Sequence, residues 1–468
     1  MKRKQNDLET ESIGKLLRKY TIPALIGNIV IVIYNFVDRW FIGQFIGEEA
    51  LAASGITFYL LMVFIAFSML IGIGAGTIIS IRLGQKNVED SEKILGNSVT
   101  LFFIVSIILT IILWFNLDFI LLKSGANNET LPYARAYMRI LIPISLANFY
   151  SYGLSNVMRA ANAPKTAMFA MIIGGVVNLV LDYIFVVIFH MGIEGTAYAT
   201  LIGNILSAVY VMYFFLRGKP LFRLNMFGRS IDETCILRLR RKNLPLSYKI
   251  SYDILKIGMS SFLLQSVNAA VGVIINNVIS ATGGTTGVAI MTIINTYLTL
   301  IVMSVYSIAQ GAQPIIGYNY GAKRFDRVKK SLNMSVIWGL IMSTVFFVII
   351  MLIPRELILL FNKDSNSNVI HDGVKAIRIY FMLIIPASVG TIVPNYFQSI
   401  GNAREAIILN IMRQVFIFMI IMFIFTRFWG LDGVWYSQPV TDVIFTFIIG
   451  VLLVLENKKL GKEIEMYK

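Results

Sequence analysis

Twelve predominantly apolar runs, each closed by charged residues or Gly/Pro clusters, alternate along the chain with polar connections. A run of about 20 apolar residues is what an α-helix needs to cross the hydrocarbon of a bilayer. The runs place helices at 20–44, 52–81, 97–121, 132–154, 165–190, 195–216, 252–280, 286–317, 332–353, 376–400, 405–427 and 433–455. They are continuous rather than alternating between apolar and polar, which excludes an outer-membrane barrel. The pattern predicts an all-α polytopic membrane protein of about twelve transmembrane helices.

Composition agrees. The 468 residues are 57% hydrophobic and 14% charged, with a mean hydropathy of +0.73, whereas soluble domains run at about 45–50% apolar and about 25% charged. A soluble enzyme, a disordered chain and a disulfide-stapled module are excluded. The single cysteine, Cys235, permits neither an intramolecular disulfide nor a Cys-based zinc site, and His190 and His371 lie far apart. No cofactor is expected.

Lys plus Arg number 41 against 26 Asp plus Glu, a net +15, and their placement matters more than their sum. Basic residues fall on alternate connections. Lys2, Arg3, Lys4, Lys15, Arg18 and Lys19 precede the first helix; Arg82, Lys86 and Lys93 follow the second; Arg159 and Lys165 separate the fourth from the fifth. The linker after the sixth is densely basic from Arg217 to Lys256, the connection after the eighth has Lys323 to Lys330, and the tail has Lys458, Lys459 and Lys462. The loops at 43–51, 190–195 and 281–287 contain no Lys or Arg. By the positive-inside rule both termini and the long linker are cytoplasmic, in a plasma membrane. The basicity is topogenic, so the expected surroundings are lipid, with no nucleic-acid partner. The charged N-terminus lacks the apolar region of a cleaved signal. The expected segments are a cytoplasmic stretch 1–19, a first lobe 20–216, a basic linker 217–251, a second lobe 252–455 and a cytoplasmic tail 456–468.

The halves repeat. RLGQKNVEDSEKILGNSV from Arg82 lies over NYGAKRFDRVKKSLNMSV from Asn319; YMRILIPIS from Tyr137 over YFMLIIPAS from Tyr380; and GIEGTAY from Gly192 over GLDGVWY from Gly430. Three matches in one order, at offsets of 237 to 243, point to a duplication. Each half has an even number of crossings, so the copies run the same way about an axis along the membrane normal, a transporter arrangement with the substrate path between halves.

An ionised side chain in the hydrocarbon is costly unless it faces water or a partner, so intramembrane acids are functional candidates. Asp38 shares with Asn28 and Asn35 one stripe of the first helix about 80° wide. Asp182 follows Asn178 by one turn and Gly174 by two in the fifth helix, and Thr200 lies within reach in the sixth. Oxygens from two carboxylates, an amide and a hydroxyl suit a sodium ion; alternatively the two acids share a proton, since neighbouring like charges resist double ionisation. Static interhelical hydrogen bonding is the bland alternative, with Asp38 paired to Arg39. The repeat position of Asp38 is Asn276, and Asp182 has no acidic counterpart, which concentrates coupling in the first half. Asp442, near Pro439, binds ion or substrate or satisfies backbone freed by the proline. Asn35, Asn156, Gln265, Asn276, Gln310 and Gln313 join Asp442 as substrate-cavity candidates, although such amides also serve helix packing in lipid.

The sequence resembles the multidrug and toxic compound extrusion (MATE) family over nearly its whole length. The resemblance rests on IYNFVDRWFIGQFIG in the first helix, RLGQKN after the second, RAANAPKTAM and VVNLVLD before and within the fifth, AQGAQPIIGYNYGAKR ending the eighth and GNAREA before the eleventh. It implies two six-helix lobes in a V and export of cationic, amphipathic organic compounds in exchange for protons or sodium. Matched residue by residue, it assigns the coupling cation to Asp38, Asn178, Asp182 and Thr200. The seventh and tenth helices lack the acids of the NorM-like branch, which favours a DinF-like or related branch.

Two readings follow: a secondary active exporter working as a monomer by alternating access, and a lipid-linked oligosaccharide flippase of the same broad superfamily. A flippase for an anionic pyrophosphate carrier needs cationic groups facing its cavity. Arg39, Arg135, Arg139, Arg378 and Arg413 are read as lying near helix ends, which leaves few. An intramembrane enzyme lacks support, because no Ser or Cys nucleophile has a nearby His base.

Overall fold

The computed structural model describes residues 7–221, 225–226, 229–230, 233, 235–360 and 368–467. Lys2, Arg3, Lys4 and Arg223 of the basic sets lie outside the described residues. Helices dominate: α1 Ile13–Phe45, α2 Glu48–Gly84, α3 Val88–Lys123, α4 (131–160), α5 Pro164–Asp182 and α6 Gly192–Arg217, then α7 Tyr248–Gly284, α8 Thr286–Gly321, α9 Phe325–Leu352, α10 (368–399), α11 (403–429) and α12 (431–466). The extended pairing among the described residues is a two-residue ladder in the linker, Asn225↔Ser230 and Met226↔Arg229.

Nine helical segments among the described residues are long and apolar enough to span a bilayer, ten if Ile370–Tyr380 and Ile384–Ser399, bent by 55°, form one span. Twelve is reached in two further steps. Gly430, at φ 54° and ψ −130°, breaks the run Ala403–Met466 into α11 and α12. The segment α4 is interrupted by a 3-10 turn at Ile142–Ile144 and a π turn at Phe149–Gly153. Pro143 and Pro386, aligned by the repeat, both sit at these breaks, because proline removes a backbone donor and its ring clashes with the carbonyl four residues back.

Several helices outrun their apolar stretches. α3 begins at Val88 rather than 97, with the side chain of Asn87 accepting from the Asp90 N–H at 3.0 Å. α12 continues to Met466, so the expected tail is helical; Leu460 in it is buried, and Tyr396 donates to Glu456 at 2.9 Å. The apolar run marks only the immersed part, and polar turns extend past it.

The repeat is written in the backbone. Residues with positive φ recur in pairs: Gly47 and Gly284, and Lys86 and Lys323, at separations of 237; Gly192 and Gly430 at 238; Asn162 and Gly401 at 239. Non-glycine residues rarely adopt this region, so matched outliers at Lys86 (φ 62°) and Lys323 (φ 58°) reflect one turn used twice.

The chain divides into two compact units, Ile22–Gln265 and Met1–Thr21 with Ser266–Lys468. Thus α1 and α7 each contribute to both. In the first unit α2 meets the opening turns of α7 backbone to backbone: a Cβ on Gly258 would collide with the Leu70 carbonyl, and Phe67 packs on Phe262 at 4.9 Å. The basic linker docks on this unit. Glu92, buried, accepts from the Arg238 N–H and pairs with Arg240 at 3.0 Å; Asn97 accepts from the Ser247 N–H at 2.7 Å. Glu233 caps α5 by accepting from the Thr166 N–H at 2.8 Å. In the second unit Arg327 donates to the carbonyls of Leu8 and Glu11, fixing the N-terminal turn beside α8 and α9.

Candidate functional site

Within the first unit α5 is approached closely from two sides. A Cβ on Gly175 would lie 2.6 Å from Val30 Cγ1 of α1, and one on Gly203 of α6 would lie 2.6 Å from the Gly174 carbonyl. A Cβ on Gly174 would meet nothing closer than 3.5 Å. Gly174 enters the close approach through its carbonyl, and the steric constraint falls on Gly203 across the seam.

These contacts gather the polar groups. Asn178 donates from Nδ2 to Thr200 Oγ1 at 3.1 Å. Asn178 and Asp182 are buried, at 2% and 0% exposure. Asn178 Oδ1, both carboxylate oxygens of Asp182 and Oδ1 of Asp38 are buried with no hydrogen-bond partner. Asp38 and Asp182 lie in each other's electrostatic field. Buried polar groups normally find partners, and several orphaned acceptors in one place mark a site for something electropositive. These oxygen donors fit a proton or a monovalent cation. Among the described residues no group of three or more His, Cys, Asp or Glu side chains is arranged to hold a metal ion.

Two tyrosines complete this cluster and were missed in the sequence. Tyr137 of α4, buried, is a neighbour of the Thr200 side chain and lies near both acids; Tyr34 of α1 lies one turn before Asp38 on the same helix. Tyr137 was visible only as the first residue of a repeated segment. Arg39 places its guanidinium over the Phe58 ring at 4.5 Å.

The cavity candidates are divided between the two units. Asn35 donates to the Ile31 carbonyl of its own helix at 2.7 Å. Asn156 is buried, donating to the Tyr152 carbonyl and accepting from Arg159 at 2.8 Å. Arg159 is itself 2% exposed inside α4, not in a basic loop as the charge pattern suggested. Gln265 is half-buried and ends the first unit. Asn276, Gln310, Gln313 and Asp442 belong to the second, Asn276 exposed, Gln310 buried and Gln313 half-buried, the last two with partners. Asp442 is 2% exposed and closed off: Arg413 donates to it at 2.9 Å, and Gln438 donates to both its oxygens at 3.2 and 3.1 Å. It does not serve backbone freed by Pro439. Arg413, expected near a helix end, lies ten residues into α11 with its side chain 20% exposed.

Repeated halves of membrane-crossing helices with unpaired buried acids in one of them define a multipass membrane transporter. The MatE family pattern matches residues 23–184 and 257–424, and the chain belongs to that family. It is 23% identical over 457 residues to the multidrug export protein MepA of Staphylococcus saprophyticus, covering 97% of this chain and 96% of that one. It is 23% identical over 440 residues to MepA of Staphylococcus haemolyticus, covering 94% and 93%. Its fold matches an outward-facing multidrug resistance MATE family transporter of the MOP superfamily, with a TM-score of 0.89, 24% identity, and coverage of 99% and 100%. The family is one of transporters rather than enzymes, and these relatives do not favour the flippase.

Proposed function

We propose that the protein is a secondary active multidrug exporter, antiporting cationic amphipathic organic compounds against protons or sodium. It acts as a monomer in the plasma membrane with both termini cytoplasmic, the orientation the basic connections favour. The observation that carries the reading is the orphaned acceptor cluster. Asp182 is fully buried with neither oxygen paired, beside Asp38 and the Asn178–Thr200 bond. A carboxylate so placed needs a proton or a cation, because burying an isolated charge is very costly.

Exchange then follows from linkage. A cation stabilises the conformation in which these oxygens are gathered, and the compound favours the conformation in which they are vacated. Each ligand shifts the equilibrium only by its differential affinity for the two states. Export against a gradient requires that the two do not occupy the gathered state together.

The test is accumulation of a fluorescent organic cation by everted membrane vesicles, with proton and sodium gradients imposed separately, for the native protein and Asp38→Asn. Uptake driven by one gradient and lost in the variant is expected, and it names the coupling ion. Undiminished uptake by folded Asp38→Asn overturns the assignment.

A further inference from the structure

We propose that the Arg413–Asp442 cluster is the second half's copy of the cation site, with the Arg413 guanidinium standing as a tethered cation in place of an exchangeable one. The inference rests on the reading of the first-half acids as a cation site, and it explains why coupling is confined to that half.

The correspondence is positional. Extending the match of Gly192 with Gly430 by the same separation of 238 sets Thr200 over Gln438 and Asn204 over Asp442. The repeat sets Tyr137 over Tyr380. In the first half Tyr137 and Thr200 are side-chain neighbours; in the second Tyr380 donates to Gln438 at 3.5 Å. The same two helices of each half therefore join by the same pair of positions.

What differs is the third helix. The separation of 239 between Asn162 and Gly401 sets Arg413 over Gly174. Where the first half has no side chain, one turn before Asn178, the second has a guanidinium. The acid has moved accordingly, from α5 in the first half to α12 in the second. Asp442 has the partners that Asp182 lacks: Arg413 on Oδ1 at 2.9 Å and Gln438 on both oxygens. The Phe445 face lies 5.6 Å from the guanidinium carbon, and a Cβ on Gly390 would lie 2.9 Å from Phe445, so the ring is held in place under the cation. A carboxylate acceptor and an aromatic floor suit a monovalent guanidinium- or ammonium-type cation. Here the chain supplies its own, and nothing exchanges.

Removing the tethered cation should expose a site for a free one. The test uses the full-length protein carrying Asp38→Asn and Asp182→Asn, so that the first-half acids are silent and their failure as a coupling site would not alter the readout. Thermal stability is measured with millimolar guanidinium chloride against equal choline chloride, which is too bulky for the site. The background protein is expected to show no specific shift. Adding Arg413→Ala should lower Tm and create a guanidinium-specific rise, about 2 °C at tenfold over the Kd. Arg413→Lys, which keeps a tethered cation, and Arg413→Ala with Asp442→Asn, which removes the acid, should show none. If Arg413→Ala cannot be purified, Arg413→Gln is the same test with a neutral donor retained. No guanidinium-specific rise in the folded neutral variant overturns the proposal; so does a rise that persists with Asp442→Asn, or one already present in the background protein.

Discussion

Asn178 donates to Thr200 at 3.1 Å, tying α5 to α6 and leaving the amide oxygen, like both oxygens of Asp182 one turn on, buried without a hydrogen-bond partner. On the proposed reading, the bond positions an acceptor for the coupling ion. Thr200→Val keeps shape and removes the hydroxyl that accepts from Asn178. A hydrogen bond of this kind is worth about 1 kcal/mol net. The half-saturating concentration of the coupling ion should therefore rise by about fivefold, while Thr200→Ser remains near native. Equal ion dependence in Val and Ser variants, measured in vesicles, contradicts a positioning role.

Asp182→Asn separates the cost of a buried charge from its use. The substituted amide is isosteric and neutral, so folding no longer has to bury an unpaired carboxylate. Gradient-driven uptake should fall to background while Tm in detergent is no lower than that of the native protein. A variant that transports normally shows that Asp182 lies outside the coupling path; one that loses both Tm and transport shows a structural role.

Cys235 lies in the docked linker, outside the spans, with its thiol buried at 7% exposure. Burial pushes the thiol from its ordinary 9.0 up to about 12, with the carboxylate of Glu92 adding to the rise. The thiol is neutral at pH 7 to 8 and shielded, hence a poor nucleophile. Maleimide should label it only after denaturation. The linkage has a definite sign: the folded state holds its proton above the unfolded value, so the stabilisation is complete below about pH 9 and declines as pH rises from about 9 to about 12. Cys235→Ala should flatten that decline. Rapid labelling of the native protein at pH 7 would show that the linker does not stay docked.

Much of this was legible in the sequence, and the parts that were not have physical reasons. Apolar runs mark immersed segments, so all twelve helices could be placed, whereas the breaks at Pro143 and Pro386 were not read although the repeat aligned the two prolines. The polar first turns of α3 and the helical tail beyond 455 could not be read, because a helix leaving the hydrocarbon has no apolar signature. Asp38, Asn178, Asp182 and Thr200 stood out as polar groups in apolar helices. Tyr137 did not, since a tyrosine in such a helix also suits packing or an interface. Arg413 reads as a flanking residue because hydropathy shows only that a charge is present; its partner, Asp442, lies 29 residues away.

The seam between α5 and α6 offers a comparison of two glycines that face each other and are not equivalent. A Cβ on Gly203 would sit 2.6 Å from the Gly174 carbonyl, a contact with rigid backbone that no rotamer relieves, whereas one on Gly174 would make ordinary contacts at 3.5 Å with Gly203 and Ser207. The same Gly203 position is 3.5 Å from Asn178 Cβ, so separating the helices there also moves the amide that holds Thr200. Overpacking of this kind costs about 1–3 kcal/mol. Gly203→Ala should lower Tm and raise the half-saturating concentration of the coupling ion together, while Gly174→Ala leaves both near native values. Thermal melts and vesicle uptake on the two variants decide it. If Gly174→Ala is the more damaging, α5 and α6 approach more closely at Gly174 than at Gly203, and the amide of Asn178 is positioned from the other side of the seam.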